Sequence, residues 1–149
     1  MESKFLEITL DCGKILLAII CASLIGWERQ KLEKAAGLRT HILICVGACL
    51  FTIIGLKITE ATANPGELLR VFQGIATGVG FVGAGAIIRQ GGYVTGLTTA
   101  AGIWVIAAIG LTIGVGAYWL AIISTIFAFL IIHFIGNLNF IMGKKDNTE

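Results

Sequence analysis

The chain has 149 residues, 56% of them hydrophobic and 13% charged, with a formal net charge of +2 at pH 7. A soluble domain carries about a quarter of its residues as charges, and between Leu68 and Gly143 the only charged residues here are Arg70 and Arg89. With so little charge, lipid rather than water is the solvent this composition suits; the small net charge and the lack of a basic run interleaved with aromatics set nucleic-acid binding aside.

Met1 to Asp11 carries Glu2, Glu7 and Asp11 against Lys4 alone, the wrong sign for the positive leader region of a signal peptide. The first apolar run is therefore read as a retained helix. Five apolar segments follow in order, at about residues 10–27, 41–58, 71–88, 97–113 and 117–135. Each is near the ~20 residues that cross a bilayer core of about 30 Å. The expected fold is all-α: a polytopic transmembrane bundle of about five helices, forming a single membrane domain over residues 1–149.

Segment 1 has Asp11 at one end and Glu28 at the other. At 1.5 Å per residue they stand about 25 Å apart, too far to share an ion. After it comes a loop with Arg29, Lys31, Lys34 and Arg39. The loop after segment 2 holds the only proline, Pro65, in an Asn-Pro-Gly turn. The break between segments 4 and 5 is slight, Gly114-Val115-Gly116, so that four helices stand as the alternative count.

Orientation follows from lysine and arginine in short loops. Arg29, Lys31, Lys34, Arg39, Arg89, Lys144 and Lys145 fall on one side, against Lys4, Lys14, Lys57 and Arg70 on the other. The expectation is an N-terminus outside and a C-terminus in the cytoplasm. The tail 136–149 is too short to bury a core.

Small residues four apart let membrane helices approach closely. Gly74, Gly78, Gly80, Gly83 and Gly85 crowd segment 3, which is expected to be the centre of the bundle, and Ala22 with Gly26 and Gly110 with Gly114 offer further seams. Residues 78–83 also match G-x-G-x-x-G, but no acidic residue follows before Asp146 and no strand signal precedes it, so helix packing is preferred to nucleotide binding.

Ionisable residues at membrane depth are functional candidates. On the cytoplasmic side these are Glu28, Arg29, Arg39 and Arg89, with Thr40, Thr98 and Thr99 completing a candidate polar network. Glu28 is expected to pair with Arg39 or Arg89, the plain alternative being a snorkelling pair that anchors helix ends. On the outer side Asp11 is expected to meet Lys14 or Arg70. The stretch from Gln90 to Thr99 is read as irregular backbone in which Thr95 or Thr98 caps the next helix, whose free N–H groups favour an anion. His41 and His133 read as interfacial polar residues, and Cys12, Cys21, Cys45 and Cys49 as buried small hydrophobes without a metal or disulfide pattern. No Ser or Cys is paired with His as nucleophile and base, so no catalytic residue, enzyme activity or cofactor is expected.

Three runs bear a resemblance to a known family. They are Gly26–Arg29 with Ala36–His41, Arg70–Gly74 continuing through Thr77–Arg89, and Gly96–Trp104. In that order they resemble the signatures of the MgtC/SapB family, over about Asp11 to Leu120. The resemblance implies an inner-membrane protein of magnesium homeostasis or adaptation to low magnesium, and in some pathogens a part in survival inside host cells. It implies magnesium as ligand or cargo of a transporter, or else a non-transporting regulator that binds another membrane complex such as the ATP synthase. The resemblance is to a short form of the family, expected to be without the C-terminal cytoplasmic domain of longer members. Besides the bilayer, a homo-oligomer is expected through the glycine-rich faces. Magnesium needs near-octahedral oxygen coordination and commonly uses carboxylates; segments 3 to 5 hold none.

Overall fold

A computed structural model describes residues 1–90 and 92–135, and these form an all-α bundle of five helices with one small hairpin. Helix α1 spans Glu2–Lys31, α2 Leu38–Thr62, α3 Gly66–Gly85, α4 Leu97–Gly114 and α5 Tyr118–Leu130, which continues into a π-helical turn at Ile131–Ile135. Four of these are long and apolar enough to cross a membrane; the fifth, Tyr118–Phe134, is shorter. The expected basic tail, Lys144 and Lys145, lies outside the described residues.

Helix α1 has 30 residues, about 45 Å at 1.5 Å per residue, and so outruns a bilayer core. Its acidic first turn (Glu2) and basic last turn (Arg29, Lys31) both suit the helix dipole. Ala63, at φ 53°, ends α2, and Asn64 Oδ1 then accepts from the Gly66 N–H at 3.0 Å, setting the turn that launches α3.

Helix α3 ends at Gly85, short of the expected residue 88, because Ile88–Gln90 (β1) pairs antiparallel with Tyr93–Thr95 (β2). The expected irregular stretch is thus an ordered hairpin, with Arg89 opposite Val94 and Gln90 opposite Tyr93. Neither Thr95 nor Thr98 caps α4. Gly96 holds the N-cap position at φ 87°, where a side chain would strain the backbone and would overlap the Ala86 carbonyl.

The centre of the bundle is α4, which touches all four other helices, and not α3. Ile106, Ile109 and Ile113 of α4 are fully buried in one cluster with Ala18, Ala22 and Ile25 of α1 and Cys45, Cys49 and Ile53 of α2, and Ile103 is buried as well. Close approach is set by glycine. A Cβ on Gly110 would overlap the Cys45 carbonyl, and one on Gly114 would stand 3.0 Å from the Cys49 carbonyl. On α1, a Cβ on Gly26 would lie 2.9 Å from Leu38 Cα. These are the seams expected from Gly110 with Gly114 and from Gly26, with Ala22 buried beside it.

The glycines of α3 behave differently. Among the described residues Gly83 packs against Ala100, while Gly74, Gly78, Gly80 and Gly85 have no neighbour within 4 Å of a Cβ position. Gly74 and Gly78 instead line an apolar groove of about 410 Å³ between α2 and α3, with Gly47, Phe51 and Val82.

Candidate functional site

One end of the bundle gathers the C-terminal turn of α1, the N-termini of α2 and α4, the hairpin and the end of α5. Arg29 is brought there by α1. Although its neighbours Gln30 and Lys31 are exposed, Arg29 is 4% exposed, because it falls on the face of α1 that carries Ala22, Ile25 and Gly26. Its Nη2 donates to Thr99 Oγ1 on the first turn of α4 at 3.2 Å. The guanidinium Nε is buried and, among the described residues, has no partner.

His41, on the first turn of α2, is fully buried. Its Nδ1 is 2.8 Å from the Gly37 carbonyl, a bond that requires the proton on Nδ1. Nε2 then presents a lone pair into the core, 3.8 Å from where a Cβ on Gly102 would be, and finds no partner among the described residues. Gly102 leaves the room this ring fills.

Glu28 pairs with His133, not with Arg39 or Arg89. His133 Nδ1 is 2.8 Å from Glu28 Oε1, and the imidazole stacks on Phe129 at 5.6 Å between ring centroids. Arg39 and Thr98 are exposed at helix starts, Thr40 is half-buried, and Arg89 is exposed on the hairpin. None of these four makes a side-chain hydrogen bond to the Arg29–Thr99 pair among the described residues. The expected network therefore divides into a buried pair, Arg29 and Thr99, a rim pair, Glu28 and His133, and four peripheral residues.

At the opposite end Asp11 bonds Lys57 at 2.8 Å, a partner shared with Glu7 at 2.9 Å. Arg70 pairs with Glu67 three residues before it. Lys14, the other expected partner of Asp11, instead donates to the Gly114 carbonyl at 3.0 Å, closing the C-terminus of α4. Cys21, Cys45 and Cys49 are buried, whereas Cys12 is exposed on α1. Among the described residues no three of His, Cys, Asp and Glu converge to hold a metal ion.

Sequence reasoning missed three participants: His41, His133 and Lys57. His41 had one available signal, since it lies four residues after Gly37 at the start of α2, within hydrogen-bonding reach of a terminal carbonyl. His133 and Lys57 carried none, because their partners lie far away in the chain.

A five-helix bundle with apolar spans and polar layers at its two ends defines a multi-pass membrane protein. The MgtC family model matches residues 15–140, and the chain belongs to the MgtC family. It is 40% identical over 140 residues to YhiD of Escherichia coli K12, provisionally named a magnesium transporter, covering 89% of this chain and 64% of that protein. SrpB of Synechococcus elongatus is 39% identical over 127 residues, with 78% of this chain and 70% of that protein covered. The protein MgtC of Salmonella typhimurium is 41% identical over 112 residues, which span 75% of this chain and 46% of MgtC. No solved structure matches the chain at a significant level.

Proposed function

We propose that this chain is a non-enzymatic protein of the bacterial inner membrane that serves magnesium homeostasis or adaptation to low magnesium, acting as a regulator of another membrane complex. Membership of the MgtC family supports the setting. The observation that favours regulation over conduction is the core of the bundle. Ile25, Ile106, Ile109 and Ile113 close the space between α1, α2 and α4, while the acidic side chains Glu7, Asp11 and Glu28 stand at the two ends, already paired. A hydrated divalent cation needs oxygen ligands along its path, and this core offers apolar side chains instead.

The orientation proposed is N-terminus outside and C-terminus cytoplasmic. Arg29, Lys31, Lys34, Arg39 and Arg89 gather at one end, the distribution of a cytoplasmic face. Transport of magnesium by the chain itself is the second reading, favoured by the provisional name of the Escherichia coli relative. Sealed proteoliposomes that hold only this protein and an entrapped magnesium-sensitive dye separate the two. Regulation predicts no flux above empty vesicles from folded, inserted protein, and recovery of a stoichiometric membrane partner on mild solubilisation. Flux reduced by Glu28→Gln would establish transport.

A further inference from the structure

Arg29 is the least expected residue in the bundle. A buried charge is stable only when paired and hydrogen-bonded, yet this guanidinium has a single neutral partner, the Thr99 hydroxyl, among the described residues. The carboxylate beside it in sequence, Glu28, is turned to His133. What lies against the guanidinium is the N-terminus of α4, itself positive by about half a charge.

That helix start is also short of acceptors. The first bond within α4 runs from the Ala100 N–H to the Gly96 carbonyl at 2.9 Å. The N–H groups of Leu97, Thr98 and Thr99 precede it, and no side chain caps them. Two positive elements, one of them a charged side chain 4% exposed with an unpartnered Nε, thus meet around Thr99, and among the described residues no carboxylate bonds either, Glu28 acting on Arg29 only from a distance.

We propose that this end of the bundle binds a phosphate-bearing anion between the Arg29 guanidinium and the first turn of α4. A guanidinium presents a planar fork that fits two phosphate oxygens, and uncapped N–H groups at a helix start supply further donors along the same direction. The Thr99 hydroxyl, which accepts from Nη2, has its own proton left to donate to the anion. His41 is not among the donors, since its proton is committed to the Gly37 carbonyl. Trp27, two residues before Arg29 and on the outer side of α1, is an exposed aromatic of the kind that sits at headgroup level. Two sources carry the same chemistry there: the headgroup phosphate of a lipid, or free phosphate from the cytoplasm.

The test is thermal unfolding of the purified full chain in a non-ionic detergent at fixed ionic strength. Inorganic phosphate, dihexanoyl phosphatidylglycerol and sodium chloride are titrated separately. A ligand that binds only the folded chain raises the midpoint with the logarithm of its concentration above Kd. A saturable rise with inorganic phosphate supports the site and assigns it to the free anion; a rise with phosphatidylglycerol alone supports it and assigns it to lipid. Arg29→Met abolishes the rise, Arg29→Lys weakens the apparent affinity about tenfold through loss of the fork, and Thr99→Val weakens it without removing the charge. Should Arg29→Met fail to fold, the Lys and Val variants carry the comparison. Lys34→Met, a surface change, leaves the rise intact. An equal rise with chloride, no rise with either phosphate probe, or a rise that survives in the folded Arg29 variants overturns the proposal.

Discussion

His133 and Glu28 lie 105 residues apart in the chain and 2.8 Å apart in space. The π-helical turn at the end of α5 carries the imidazole to the last turns of α1, and this contact ties the final helix to the first at the basic end. A residue pair that acts as a unit shows a coupling energy distinct from the sum of its single changes. Glu28→Gln and His133→Asn, alone and together, are expected to give a coupling of about 1 kcal/mol in unfolding by sodium dodecyl sulfate from mixed micelles. Simple additivity would mean that the contact does not hold the helices together.

Gly110 and Gly78 make a second comparison, since both are glycines in apolar helices with opposite surroundings. Gly110→Leu drives a side chain into the Cys45 carbonyl, and overpacking of this kind costs about 1–3 kcal/mol or more. Gly78→Leu enters open space and is expected to leave the stability of the monomer within about 0.5 kcal/mol. The same unfolding assay reads both. If Gly78→Leu also lowers the proportion of dimer in detergent, the open glycine face of α3 is where copies meet.

Lys14 donates to the Gly114 carbonyl, the last of α4, from within α1. A cation at a partly buried helix C-terminus contributes about 0.5–2 kcal/mol. Lys14→Met keeps the length of the side chain and removes the donor, so a loss in that range is expected. Arginine at this position should recover part of the loss, and methionine that unfolds no more readily than lysine would show the bond to be idle.

Topology has a direct readout. In a background with Cys12 replaced by serine, cysteine at Asn64 should react with a membrane-impermeant maleimide on intact spheroplasts. Cysteine at Lys34 should react only after the membrane is opened. Both positions are exposed on loops at opposite ends of the bundle, so labelling in the reverse pattern would invert the proposed orientation.

The ends of a helix were legible at some glycines and not at others: α3 starts at Gly66, directly after Pro65, where residue 71 was expected, and stops at Gly85 rather than 88. The fourth helix, expected over 97–113, runs Leu97–Gly114 between two such residues. The first, expected from residue 10, begins at Glu2, because hydropathy marks where a helix is apolar and not where it starts. Position along the bundle was legible too: Glu28, Arg29, Arg89 and Thr99 do lie toward one end. Which side of a helix faces which neighbour was not. Arg29 is buried while Arg39 and Arg89 are exposed: Arg29 shares a helical face with Ala22, Ile25 and Gly26, but that spacing does not say which neighbour covers the face. Glycine density misled for the same reason, since the contacts that need small residues fall on Gly110 and Gly114 rather than on the richer series in α3. A stripe of glycines shows that a helix can approach closely, without saying to what.

The central position of α4 bears on the order of assembly. During synthesis α1, α2 and α3 emerge ahead of α4, and the faces of α1 and α2 that hold Arg29, His41 and Thr52 lack the cover of α4 until Gly114 has followed. The early helices must therefore wait with polar groups open to lipid, to each other or to the insertion machinery. A chain arrested after Gly85 should be a poor substrate for stable insertion and a good one for membrane proteolysis, whereas one arrested after Gly116 should already resist it.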